Sequence, residues 1–150
     1  ALDEQSILWN DDLGFALVMV TRTLSNMRAS HKEVKVLPKF KSDEDLDYAT
    51  SLFENAAVNF DEHLEAIEQY TRNWDVERIA YMDNIIMVIA LAELISCPSI
   101  PVKVGLDEYI EIAKFYSTQS SSTFINGVLD KMVTSLTEAG KINKSGRGLI

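Results

Sequence analysis

Asp107, Glu108 and Glu111 crowd one short stretch of the chain. A pair of carboxyl groups can divide acid and base work between them when a substrate-binding partner stands nearby. No such partner is visible in "VKVGLDEYIEIAKFY", and a solvated helix face accounts for the charges. Two histidines, His31 and His63, lie in separate segments with no cysteine beside either, which does not suit a zinc site. Cys97 sits between an apolar run and Pro98, where a small buried hydrophobe fits better than a nucleophile. There is neither a glycine-rich phosphate loop nor a serine nucleophile elbow. The inventory points away from an enzyme and implies no metal and no cofactor.

Binding chemistry is better represented. In "SSSTFINGVLDK", Ser120, Ser121 and Ser122 stand at a helix start, where hydroxyls and backbone N–H groups can hold a phosphate. Plain capping by Ser122 is the simpler reading. Phe124 can stack on a nucleic-acid base while Asn126 hydrogen-bonds a base edge. Equally, Phe124 can fill a groove while Asn126 ties the serine loop to the helix start. Lys103, Lys114 and Lys131 are candidates to face a backbone phosphate, although surface lysines are commonly just solvated. Asp75, Glu77 and Asp83 form an acidic group, for which helix capping by Asp83 is a sufficient explanation.

The elements that must position these residues are helical throughout. Asn10 or Asp11 can cap a helix that keeps Leu13, Ala16, Leu17, Val20, Leu24 and Met27 on one face. Residues 30 to 41, with Pro38, read as a linker. Ser42 or Asp43 can cap a second helix with Leu46, Ala49, Leu52, Phe53, Ala56 and Ala57 at helical spacing. A third begins at Asp61 and turns Leu64 and Ile67 inward, and a short fourth starts at Asn73 or Asp75. Asp83 then caps "NIIMVIALAELIS", apolar on nearly every face and so central, and the prolines of "CPSIP" end it. An amphipathic helix runs from about Val102. The last starts near Ser122, buries Ile125, Val128, Leu129, Met132, Val133 and Leu136, and stops at Gly140; residues 138 to 150 read as a flexible tail. The apolar spacing runs unbroken through Gly127. Glycine there costs about 1 kcal/mol relative to alanine, so a close neighbouring backbone is expected, that of the apolar helix.

The chain has 150 residues, enough for one domain with a sizeable core. Its net charge of −9 argues against a generic nucleic-acid coat. Residues 43 to 70 hold nine Asp and Glu and no Lys or Arg, which suits a basic partner or simply a solvated face. Residues 101 to 150 carry six basic and five acidic side chains, so any polyanion contact belongs to that last third. The single cysteine fits a reducing compartment. No signal peptide is visible, and the most apolar run is too short to span a bilayer. A first residue of Ala rather than Met leaves open a longer gene product.

Residues 73 to 133 resemble the C-terminal half of the NusB family of transcription antitermination factors. Ala90, Glu93 and Leu94 match the end of the family's buried helix, and Pro101, Lys103 and Val104 match the start of the next. Glu111, Ala113 and Lys114 match its Glu-x-Ala-Lys stretch. The most specific string is Phe124, Asn126, Gly127, Val128, Leu129 and Asp130. The resemblance implies an all-α fold of about six to seven helices in two packed subdomains. It also implies a non-catalytic, cytoplasmic, bacterial factor that binds boxA-like single-stranded RNA together with a small-subunit ribosomal protein. By the same resemblance the ribosomal partner docks near Asp75, Glu77 and Asp83. Family members begin with an arginine-rich helix, whereas Arg22 and Arg28 are the only arginines here before Arg72, so RNA binding by this chain alone is expected to be weak. Two other readings stay open: an interaction-only helical module, and a helical accessory domain of a ribosomal RNA cytosine methyltransferase.

Overall fold

The structure is a computed structural model. It describes residues 9–28, 30, 33, 40, 42–71 and 79–145, with the side chains of residues 9–13 excepted. Among these are six helices and no strand: α1 (Trp9–Asn26), α2 (Asp43–Val58), α3 (Phe60–Thr71), α4 (Tyr81–Ser96), α5 (Val102–Tyr116) and α6 (Ser121–Glu138). The chain is all-α. The expected short helix starting at Asn73 or Asp75 falls outside the described residues, as do Asp75 and Glu77 themselves.

The chain divides into two compact units, Ala1–Asp43 and Glu44–Ile150. In the first, α1 is the one helix among the described residues. Leu17, Val20 and Leu24 are all more than half exposed.

The second unit holds the core. α4 touches α3, α5 and α6, and α6 also touches α3 and α5. Nine residues of α4 are buried, from Asp83 to Leu94, as its all-round apolar pattern predicts. Ile67 of α3, Tyr109 and Ala113 of α5, and Ile125, Val128, Leu129 and Met132 of α6 close around it. The spacing of α2 is only partly inward: Ala56 is buried and Leu52 packs against the core, whereas Phe53 and Leu46 are exposed. α2 bends into α3 at Asn59, whose side chain donates to the Asn55 carbonyl at 3.0 Å. Behind that bend His63 is buried, its Nε2 lying 3.3 Å from Asn55 Oδ1. Burial pushes the His63 pKa down, against a smaller upward pull from Glu62.

Two local expectations are corrected. Asp83 is not the N-cap of α4; the helix begins two residues earlier, after an extended Ala80, and Asp83 lies in its first turn. Gly127 lies within α6, yet a Cβ there would meet nothing within 4 Å, so no backbone presses against it. The tight glycine is Gly105 in α5, where a Cβ would collide with the Glu93 carboxylate. Within the segment read as a tail, the Ser145 N–H donates to the Pro98 carbonyl at 2.9 Å.

Candidate functional site

The serine-rich string forms the junction between α5 and α6, and Asp83 organises it from α4. Asp83 is 4% exposed. Its Oδ1 accepts from the Ser117 hydroxyl and its Oδ2 from the Ser121 hydroxyl, the latter at 2.9 Å. Ser121 Oγ also accepts the Thr118 N–H at 3.1 Å and lies 2.7 Å from the Thr118 hydroxyl. One carboxylate thus ties the first turn of α4 to the end of α5 and the start of α6. A charge buried this deeply is stable only when its oxygens are hydrogen-bonded, and here both are.

This arrangement separates the three serines. Ser120 is exposed and occupies the N-cap position without a side-chain cap bond. Ser121 is 1% exposed, and its hydroxyl is engaged with Asp83. Ser122 is half-buried inside the first turn and is therefore not the cap expected from the sequence. An anion arriving at this helix start would meet Ser120 first.

Phe124 is half-buried and packs against the core cluster, as the groove-filling alternative has it. Asn126 is exposed, and its amide reaches along α6 to Asp130 Oδ2 at 3.4 Å rather than back to the serine loop. Lys103 and Lys131 are exposed. Lys114 is exposed and paired with Glu111. Lys103 and Lys114 are eleven positions apart on α5, which at about 3.6 residues per turn returns them to one face. Asp107, Glu108 and Glu111 are all exposed, in keeping with a solvated helix face. Next to the Asp83 tie, Tyr81 and Phe115 are 74% and 73% exposed, aromatic surface the motif reading did not single out.

A second, equally buried acid lies elsewhere. Glu93 of α4 is 4% exposed, and its Oε2 accepts from the Tyr48 hydroxyl of α2 and, at 3.1 Å, from the Tyr109 hydroxyl of α5. Burial, reinforced by the Glu93 carboxylate, pushes both phenols far above their ordinary value. They remain donors at any working pH and supply no phenolate. With Gly105 against its other oxygen, Glu93 joins α2, α4 and α5 as a structural tie. Sequence reading saw Glu93 only as part of a family string, because its partners come from helices far away in the chain.

Cys97 is buried, its Sγ 3.6 Å from Ser96 Oγ. Among the described residues, no group of three or more His, Cys, Asp or Glu side chains is disposed to hold a metal ion. No described helix is long and apolar enough to cross a membrane.

Comparison with known proteins extends the likeness forward from the motif-bearing half. The model of the NusB family matches residues 16–134. The transcription antitermination protein NusB of Salinibacter ruber is 42% identical over 123 residues, 82% of this chain and 76% of the relative. That of Chloroherpeton thalassium is 38% identical over 104 residues, 69% of this chain and 49% of the relative. A solved structure of T. maritima NusB superposes with a TM-score of 0.58 at 29% identity, covering 66% of this chain and 70% of that one. The family match spans most of the chain and both described units, and on that footing the chain belongs to the NusB family.

Proposed function

We propose that this chain is a non-catalytic, cytoplasmic transcription antitermination factor that binds boxA-like single-stranded RNA together with a small-subunit ribosomal protein. The observation that carries the reading is the placement of the family string. Phe124 and Asn126 stand in the first turns of α6, one half-buried and one exposed, beside the exposed Ser120. A half-buried aromatic can offer a ring edge or face to an unstacked base, and an exposed amide can read a base edge. Lys103, Lys114 and Lys131 lie on the same two helices and supply cations for phosphates.

The affinity of this chain alone is weak in this account, because a net charge of −9 opposes a polyanion. The same charge favours a basic protein partner, and the acidic α2 and α3 would steer it. Asp75, Glu77 and Asp83 remain the candidate partner region. Asp83 itself is buried, so it would act through the junction it holds rather than by direct contact. An interaction-only module is the second reading, favoured by the acidic charge and by the internal engagement of Ser121.

Fluorescence anisotropy with a short boxA-like RNA tests the proposal. Phe124→Ala and Asn126→Ala should each weaken binding while leaving the helical circular dichroism intact. Binding by the parent that neither change affects would remove the RNA role of this junction.

A further inference from the structure

We propose that residues 140 to 145 form a strap that the Lys144 ammonium latches onto the C-terminal end of α4, and that opening the strap exposes the Cys97 thiol. Gly140 begins the turn with φ +67, a conformation that suits glycine. Its N–H donates to the Thr137 carbonyl at 3.0 Å and the next N–H, of Lys141, to Leu136 at 2.8 Å. This closes α6 and reverses the chain. Lys144 then donates to the Glu93 carbonyl at 3.2 Å and to the Cys97 carbonyl at 2.9 Å. These are carbonyls at the end of a helix, where partial negative charge gathers and intrahelical donors run out. α4 has no basic residue in its own last turn, so the cation arrives from some fifty positions away in the chain.

The latch is local. Beyond Lys144 the described grip on α4 and its following turn is one backbone bond, from the Ser145 N–H to Pro98. Lys144 is half-buried, and desolvation pushes its pKa down while Glu93 and Cys97 pull the other way. Its ammonium has therefore given up water for two carbonyl oxygens. Cys97, 9% exposed, supplies one of them, and it is the only cysteine in the chain. The ammonium holds the Cys97 carbonyl and not its thiol, so labelling at this single site tests whether the strap also shields the side chain.

The full chain is labelled with a thiol reagent as parent, Lys144→Arg and Lys144→Gln, and amide deuterium exchange is followed on the same three proteins. Losing hydrogen bonds from a charged donor should make Lys144→Gln react about tenfold faster or more. Lys144→Arg should stay near the parent, because its guanidinium keeps the charge and the donors. The Ser145 amide should lose protection in the Gln variant while the amides of buried Ile86 to Leu91 keep theirs. Unchanged labelling and Ser145 protection in the Gln variant would overturn the latch. Equal acceleration by Arg and Gln would overturn the role of charge, and loss of core protection in step with labelling would show global unfolding rather than strap opening.

Discussion

Gly105→Ala should destabilise this chain, although alanine is the better helix residue. In an open helix interior the change gains about 1 kcal/mol. Here the added Cβ meets the Glu93 carboxylate, with Oε1 in collision and Cδ at 3.6 Å. The carboxylate is the far end of a side chain, but it is buried and held by Tyr48 and Tyr109. Moving it away forfeits at least one hydrogen bond to a charged group, worth about 1.5–3 kcal/mol. The balance is a net loss of about 0.5–2 kcal/mol. Urea unfolding followed by circular dichroism measures it. The same substitution in a Glu93→Ala background should instead stabilise by about 1 kcal/mol, because the obstruction is gone. A more stable Gly105→Ala in the parent, with no coupling to position 93, would refute the reasoning.

Gly127→Ala should behave in the opposite way and stabilise by about 1 kcal/mol, since a Cβ there meets open space; a lower thermal midpoint would contradict that. Asp83→Ala should cost about 1–3 kcal/mol or more by leaving the Ser117 and Ser121 hydroxyls without their acceptor. Urea melts check this, and a loss below a few tenths would mean that the junction is not held from α4. His63, whose pKa is lowered from 6.5 by burial, contributes stability that is fully present above that value. This contribution declines as pH falls toward the folded pKa, because the unfolded state takes up the proton first. The urea midpoint of His63→Gln should therefore fall less between pH 7.5 and pH 5 than that of the parent, and equal slopes would sink the assignment.

Helical spacing placed much of the second unit. It put the cap of α2 at Ser42 or Asp43, where the helix starts at Asp43, the start of α5 at about Val102, and that of α6 within one residue of Ser121. It also found the inward face of α6, because apolar periodicity records which side is covered. It failed where the deciding contact is tertiary. Asp83 reads as a cap because an acid before an apolar run commonly is one, yet its bonds go to Ser117 and Ser121, more than thirty positions on. A buried glycine carries the same letter as an exposed one, so the tightness was assigned to Gly127 rather than Gly105. Glu93 reads only as part of the family string until Tyr48 and Tyr109 converge on it. The tail reads as loose by composition, and only the reach of Lys144 back to α4 shows its anchoring. In the candidate site, the string 124–130 was legible as a family signature, but the division of labour among Ser120, Ser121 and Ser122 was not.

The central claim is adaptor function, and its most direct test is the affinity of this chain for labelled boxA-like RNA with and without a small-subunit ribosomal partner. Anisotropy titrations at two salt concentrations measure both. The account predicts weak, salt-sensitive binding by the chain alone and markedly tighter binding once the ribosomal protein is present. No RNA binding in either condition, with the ribosomal protein failing to associate, would contradict it.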